Sequence, residues 1–139
     1  MTFTVVARCP KSGMLGIATA TRSLAVGARV PHIAPRSGAA AIMAIADPRL
    51  GRTAMQLLAL GYKAPGVVKA LVDADPQHEY RQLAVIDADG YAAARTGAHN
   101  RAWAGHHIRD NLIALGNVLV GEHVLDAIEA GFAAAPDAP

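Results

Sequence analysis

Hydrophobic and polar positions in the first third of the chain follow the alternation of β-strands. Residues Thr2–Arg8 are rich in β-branched side chains and end at a turn-forming Cys-Pro-Lys-Ser-Gly sequence at residues 9–13. Small and larger side chains then alternate over residues 14–21. This pattern on both sides of a turn predicts a β-hairpin. A continuous apolar run at residues 39–46 predicts a strand buried on both faces.

Helical spacing replaces this alternation in the middle of the chain. Residues 52–60 carry apolar side chains three and four positions apart and stop at Gly61, a residue that commonly ends helices. Residues Ala64–Ala74 have a proline in the first turn and an apolar stripe along one face. We therefore predict two consecutive helices.

The second half returns to strands and closes with a helix. Residues 81–87 and 91–96 flank an Ala-Asp-Gly turn and predict a second hairpin. A loop over residues 97–105, a strand over 110–119 and an amphipathic helix over 122–132 follow. Clustered strands with segregated helices favour an α+β fold. We expect a single domain over residues 1–132 and a frayed tail at residues 133–139.

Composition and charge remove several classes of protein. The 139 residues suit one domain, and 13 basic against 11 acidic residues leave a net charge of only +2. A single cysteine, Cys9, excludes an intrachain disulfide and a cysteine-based zinc module. Uncharged stretches such as residues 111–121 are shorter than the ~20 residues that span a bilayer. With no visible signal peptide and no basic stripe, we expect a cytoplasmic protein without membrane or nucleic-acid partners.

Two motifs that suggest cofactors are unconvincing. Residues 116–121 have the glycine spacing of a phosphate-binding loop, but Glu122 and His123 stand where lysine and serine or threonine are required. His106 and His107 are adjacent, so on a strand they point to opposite faces, and no acidic residue lies at a recognisable ligand spacing. We therefore expect neither a metal nor a cofactor. A single histidine that hydrogen-bonds or transfers protons near Trp103 is the better hypothesis.

Thr2 is the remaining candidate nucleophile. A hydroxyl must lose its proton as it attacks, so it needs a base within hydrogen-bond reach. An N-terminal threonine supplies its own base, because its α-amine has a pKa near 8 and lies beside the hydroxyl. Removal of Met1 would expose this amine. Many proteins begin Met-Thr without such chemistry, but here Thr2 begins a predicted strand directly.

The chain also resembles a known family over essentially its whole length. Its opening, TFTVVARCPKSGMLGIATATRSLAVGARVPHIAP, is similar to that of the domain-of-unknown-function-1028 (DUF1028) family. The resemblance continues through further blocks, which together are specific although each alone is not: Asp47-Pro48 with Gly51, residues 81–87 with Gly90, Thr96-Gly97, Trp103-Ala104-Gly105-His106 and Gly116-Asn117-Val118-Leu119.

The resemblance implies an N-terminal-nucleophile (Ntn) hydrolase-like αββα sandwich that hydrolyses an amide or related acyl bond. By position, Thr2 would be the nucleophile and its freed α-amine the general base. Arg22 and Ser23 would bind the substrate, Arg22 by orienting an anionic group or the amine. His106 would line the pocket, and Asn117 would donate to an oxyanion.

Structural roles remain open for the same residues. Arg22 also fits a surface ion pair, Asn117 a cap at the bend before the last helix, and His106 a half-buried packing position near Trp103. The chain departs from the family at three polar positions, where Met43, Asp47 and Leu115 stand. If those positions face the pocket, apolar replacements at two of them alter what is bound.

Two functional hypotheses follow. The first is an Ntn-type hydrolase acting on a small amide-bonded or acylated metabolite through Thr2. The second is a catalytically inactive small-molecule-binding or assembly protein on the same scaffold. Family members continue past the last helix, so we expect a sandwich that is incomplete at its C-terminus. An exposed sheet edge and face would then favour a homo-oligomer.

Overall fold

A computed structural model describes residues 1–134. It contains three α-helices and eight β-strands in this part of the chain. The predicted tail begins inside the described part, where Ala133 is still helical, while residues 135–139 lie outside it. The elements are β1 Thr2–Arg8, β2 Leu15–Thr21, β3 Pro31–Ala34, β4 Gly38–Ala44, α1 Pro48–Ala59, α2 Ala64–Ala74, β5 Arg81–Asp87, β6 Ala92–Thr96, β7 Gly105–Arg109, β8 Leu112–Asn117 and α3 His123–Ala133.

The strands form two antiparallel four-stranded sheets. The first sheet has the order β2-β1-β8-β7, and the second has the order β3-β4-β5-β6. Strand β1 is therefore an inner strand that pairs with β2 on one side and β8 on the other. This register sets Thr2 directly opposite Thr21 and Asn117.

The two sheets pack face to face and helices cover their outer faces. Between the sheets, side chains of β1 and β8 contact those of β4 and β5; this layer includes Val6, Ile113, Leu115, Met43 and Ile86. Helices α1 and α2 cover the second sheet, and α3 covers part of the first. The chain is thus an αββα sandwich, which confirms the predicted α+β class.

Strand β4 confirms the prediction drawn from its unbroken apolar run. All six residues from Gly38 to Met43 are buried. One face of the strand contributes Ala40 and Ile42 to the layer beneath α1 and α2, and the other contributes Ala39 and Ala41 to the layer between the sheets. Burial on both faces removes the polar alternation that a half-exposed strand would show.

Two predicted boundaries were wrong for local reasons. Helix α1 begins at Pro48, four residues before the expected start, because the Asp47 carboxylate accepts a hydrogen bond from the Arg49 N–H at 2.9 Å and proline suits the first turn. Strand β7, Gly105–Arg109, begins where the predicted loop at residues 97–105 ends and lies in residues to which the sequence assigned no element, and β8 is shorter than the strand predicted over residues 110–119. Pairing with β8 holds the residues of β7 in a strand, although their largely polar sequence does not predict one.

Within residues 1–134, none of the helices has the length and apolar character needed to cross a bilayer.

Candidate active site at the start of the first strand

An open cavity of about 570 Å³ lies where the two sheets part, beside the beginning of β1. Along β1, Thr4 and Val6 point between the sheets, so Thr2 also faces this space by the two-residue period of a strand. The lining residues come from the ends of β1, β2, β4 and β8 and from two neighbouring loops: Met1, Thr2, Thr21, Arg22, Ser23, Ala44, Ile45, Tyr80, His99, Asn100, Arg101, Asn117 and Val118.

Thr2 is held by its cross-strand neighbours. Its hydroxyl lies 2.9 Å from the Thr21 hydroxyl. The Thr21 oxygen also accepts the Ser23 N–H at 3.2 Å and lies 3.4 Å from the Met1 carbonyl, to which it donates. The Thr2 hydroxyl is therefore fixed in the cavity wall next to another hydroxyl. With Met1 attached, the nitrogen of Thr2 is an amide and not an amine.

Asn117 faces the same end of the cavity and is oriented by a buried glutamine. Its Nδ2 donates to Gln82 Oε1 at 2.8 Å. Gln82 is fully buried, and its own Nε2 donates to the carbonyl of Gly116 at 2.8 Å and lies within hydrogen-bond distance of the Thr96 hydroxyl at 3.1 Å. Since a carboxamide nitrogen carries two N–H groups, Asn117 retains one for a ligand. Gln82 lies in one of the sequence blocks that carry the family resemblance, but nothing in the sequence around it indicated that it would orient Asn117.

His106 does not line the cavity, in contrast to its expected position. Its Nδ1 lies 2.9 Å from the Thr96 hydroxyl, which connects it through Gln82 to Asn117. Burial lowers the pKa of His106, and the charge of the neighbouring His107 acts in the same direction. A neutral His106 can accept the Thr96 proton at Nδ1, so the chain of hydrogen bonds is complete.

His107 points to the opposite face of β7, as predicted, but it does have acidic neighbours. The sequence showed none at ligand spacing, yet α3 brings Glu122 within 3.0 Å of Nε2 and Glu129 within 2.9 Å of Nδ1. The hydrogen bond to Glu122 is the main reason that the pKa of His107 is raised. One atom each of His107, Asp126 and Glu129 lie within 4.8 Å of one another, so the cluster has the ligand types of a cation site. The same contacts are explained by a protonated histidine that holds α3 on the sheet.

Arg22 and Ser23 lie at the cavity rim, directly after β2. Both are exposed. Within residues 1–134, Arg22 forms no ion pair, so the structural alternative considered for it is not observed in the part of the chain described. A second exposed arginine, Arg101, lines the cavity from the loop between β6 and β7.

A buried ion pair between Arg81 and Asp75 supports the part of the cavity wall that Ile45 and Asn100 form. Arg81 donates from Nε to Asp75 at 2.9 Å and from Nη1 to the Ile45 carbonyl. Burial alone would raise the pKa of Asp75, but the hydrogen bonds from Arg81 and from the Gln77 N–H outweigh it and lower that pKa. The Arg81 carbonyl accepts Asn100 Nδ2 at 2.9 Å. Arg81 therefore fixes two cavity-lining residues, Ile45 and Asn100.

Two lining residues have strained backbones. Ala44 and Val118 have φ values of 67° and 55°, in the left-handed region that L-residues avoid. For the β-branched Val118 this conformation is a genuine outlier. Such strain persists only where surrounding contacts impose it, and it concentrates at functional sites.

The apolar departures from the family pattern do not line this cavity. Met43 and Leu115 are fully buried in the layer between the sheets. Met43 is paired with Gln82 across β4 and β5, and Leu115 with Thr4 and His106. Asp47 caps α1. These residues therefore belong to the support of the site and not to its surface.

Comparisons with known proteins agree on one family. A family model described as a family of unknown function, DUF1028, matches residues 2–139. The crystal structure of protein SPO2555 from Silicibacter pomeroyi, which belongs to the same family, is similar with a TM-score of 0.93 and 34% sequence identity. The similarity covers 99% of this chain but only 64% of that one. No curated protein matches the chain. The chain belongs to the DUF1028 family.

Proposed function

We propose that the protein is an Ntn-type hydrolase that cleaves an amide or acyl bond of a small metabolite. The observation that supports this most is the placement of Thr2. It begins an inner strand of an αββα sandwich, faces a 570 Å³ cavity and has Asn117 directly opposite on the next strand. Removal of Met1 would add an amine at this point, which completes a nucleophile and base in one residue.

The reaction follows from these groups. Thr2 Oγ1 attacks the substrate carbonyl carbon while its proton passes to the α-amine of Thr2. The resulting oxyanion accepts the free N–H of Asn117, and collapse of the tetrahedral intermediate returns the proton to the leaving nitrogen or oxygen. An ester between Thr2 and the acyl group remains. Water, deprotonated by the same α-amine, then hydrolyses the ester and releases the acid.

The other predicted site residues take supporting parts in this proposal. Arg22 and Ser23 at the rim would bind the substrate. His106 would act at a distance from the substrate, since the Thr96–Gln82 hydrogen bonds separate it from Asn117. It is therefore proposed as a positioning residue in place of a pocket-lining one.

The experiment combines N-terminal mass spectrometry with a threonine-reactive β-lactone. We expect mature protein without Met1 and one lactone adduct on Thr2. Thr2→Ala should abolish the adduct, whereas Thr2→Ser, which keeps a hydroxyl and permits Met1 removal, should retain it. Thr19→Ala, in the same sheet, is the matched control and should label normally. A mature protein that retains Met1, or labelling that survives Thr2→Ala, would rule out the mechanism.

The alternative is a catalytically inactive binding or assembly protein on this scaffold. It is favoured by the hydrogen bond of the Thr2 hydroxyl to Thr21, because a second hydroxyl is too weak a base to activate it. Retained Met1 with measurable small-molecule binding would support this alternative.

We also propose a homo-oligomer in the cytoplasm. The outer face of β2 exposes Gly16, Ala18 and Ala20 at the edge of the first sheet, a flat strip that a second copy could cover. The single, exposed Cys9 suits a reducing compartment. A strictly monomeric species in light scattering at micromolar concentration would contradict the oligomer.

A further inference from the structure

The cavity beside Thr2 carries positive charge without a matching negative charge. Arg22 and Arg101 both line it with exposed side chains, and neither forms an ion pair within residues 1–134. Among the described lining residues there is no aspartate or glutamate. The guanidinium group of an arginine carries a positive charge and only donates hydrogen bonds.

Two carboxylates close in sequence to lining residues or their supports are already engaged by other partners. Glu79, next to the lining residue Tyr80, binds Arg95 Nη2 at 2.5 Å and the Ala98 N–H at 2.7 Å. Asp75 is engaged by Arg81 at 2.9 Å. The field in the cavity is therefore set by Arg22 and Arg101, and a cleft with one sign of charge concentrates ligands of the opposite sign.

The two arginines flank Thr2 from opposite sides. Arg22 follows Thr21, which is paired with Thr2 across β1 and β2. On the other side Asn117 is paired with Thr2, and the N–H of the next residue, Val118, donates to the Arg101 carbonyl at 3.1 Å. The backbones of Arg22 and Arg101 thus lie on different sides of Thr2, and both residues line the cavity.

We propose that the substrate is a small amide that carries carboxylate groups, held by Arg22 and Arg101 on the two sides of the bond to be cleaved. This inference rests on the proposed function, because it takes Thr2 as the attacking group. Guanidinium groups match planar carboxylates in a bidentate geometry, which fixes orientation as well as charge. Arg101 is thereby assigned as a second specificity-determining residue, which the sequence did not single out.

Binding to the Thr2→Ala protein tests the proposal without turnover. The probes are N-malonylglycine and N-succinylglycine, which carry one carboxylate on each side of the amide, each compared by calorimetry with its uncharged diamide. We expect at least one acid to bind at least ~10-fold more tightly than its diamide, because hydrogen bonds to charged groups contribute about 1.5–3 kcal/mol. Affinity should fall as salt concentration rises.

Arginine variants then locate the binding groups. Arg22→Gln and Arg101→Gln should each weaken binding of the acid ~10-fold or more and should leave the diamide unaffected. Arg52→Gln, which alters an exposed arginine of α1 outside the cavity, should change neither. Equal binding of acid and diamide, absence of binding by both acids, or affinities insensitive to Arg22→Gln and Arg101→Gln would each overturn the proposal.

The two proposals fail in distinguishable ways. If the lactone does not label Thr2 in the wild-type chain but the acids still bind, the proposed hydrolase is overturned and the anion site remains as a binding site. Labelling at Thr2 with no discrimination between acid and diamide would overturn the anionic substrate and keep the hydrolase. Repeating the titration on the wild-type chain guards against an effect of Thr2→Ala on folding.

Discussion

Gln82 shows how much of the candidate site depends on one side chain outside the cavity. Although it is fully buried, its carboxamide has hydrogen-bond partners on four residues, and it joins β5 to β8 across the space between the sheets. A buried polar group is retained at low cost only when its partners are present. Asn117 is one of these partners, so a contact that satisfies Gln82 also orients the proposed oxyanion donor.

We predict that Gln82→Leu destabilises the protein and releases Asn117. Each buried group left unsatisfied costs about 1–3 kcal/mol, and the change removes the partners of Asn117 Nδ2 and the Gly116 carbonyl together. Chemical denaturation measures the loss of stability, and the side-chain amide resonance of Asn117 in ¹⁵N NMR reports its release. Thr96→Val, which removes a single hydroxyl from the same network, should give a smaller loss and leave that resonance in place. Wild-type stability of Gln82→Leu would contradict this account.

Gly116 illustrates a second residue whose role comes from a close approach. A Cβ at this position would lie 2.8 Å from the Thr2 carbonyl oxygen and 2.7 Å from a methyl group of Leu119. The absence of a side chain therefore allows β8 to approach the start of β1. The glycine of the Gly116-Asn117 pair makes room for Thr2, and the asparagine is paired with it.

At the scale of elements, the start of α1 depends on Asp47. Its carboxylate accepts the Arg49 N–H at 2.9 Å and the Arg49 guanidinium at 2.8 Å. The hydrogen bonds from Arg49, first from its side chain and then from its backbone, lower the pKa of Asp47 to about 2. The cap fixes the chain direction directly after β4, at the edge of the cavity.

We predict that Asp47→Ala lowers the free energy of unfolding by about 1 kcal/mol, the usual cost of a lost N-cap. Asp47→Asn is the matched variant and should retain most of this stability, since asparagine caps equally well. Because the folded pKa of Asp47 lies below its unfolded value, its charge contributes stability that is present above pH 4 and is lost as the pH falls toward 2. Urea denaturation at neutral and acidic pH should therefore show acid sensitivity in the wild type that Asp47→Asn partly lacks.

At the scale of the whole molecule, His107 makes the free energy of unfolding depend on pH in the opposite direction to His32 and His106. His107 attaches α3 to the first sheet through Glu122, Glu129 and, at 3.9 Å, Asp126, beside the ion pair of Arg109 with Glu129. His32 and His106 have pKa values lowered first by burial. Their contributions are present above the unfolded histidine pKa and are lost as the pH falls through their folded values.

We predict the reverse behaviour for His107. Its pKa is raised, so its contribution is fully present below the unfolded value near 6.5 and is lost as the pH rises through the folded value. Unfolding of the wild type in denaturant should become easier between pH 6 and pH 9, and His107→Gln should remove that part of the dependence. High salt should weaken it, because Glu122 is exposed. The same alkaline loss in His107→Gln would show that another group is responsible.

The chain's local patterns were sufficient for most of the architecture. β-Branched content and alternation around a turn located β1 and β2, and the Ala-Asp-Gly turn located β5 and β6 to within one residue. Helical spacing with a proline in the first turn located α2 residue for residue. The strand β7 was missed because its pairing partner is a separate segment of the chain. The start of α1 was missed although Asp47 and Pro48 are a local capping signal, since the apolar spacing that predicted the helix begins four residues later. Local sequence carries hydrophobic period and turn chemistry, but not the identity of the neighbour that completes an element.

The sequence also indicated part of the candidate site. Thr2, Arg22, Ser23 and Asn117 meet at one cavity, as the resemblance implied, whereas His106 is set behind it. The sequence determined an α+β fold with Thr2 at the head of its first strand. Only the tertiary structure decided that Gln82 orients Asn117, that Arg101 lines the same cavity as Arg22, and that three acidic residues meet His107. These juxtapositions join residues that are separated in the chain, and the burial of Gln82 and Asn117 strengthens the hydrogen bond between them.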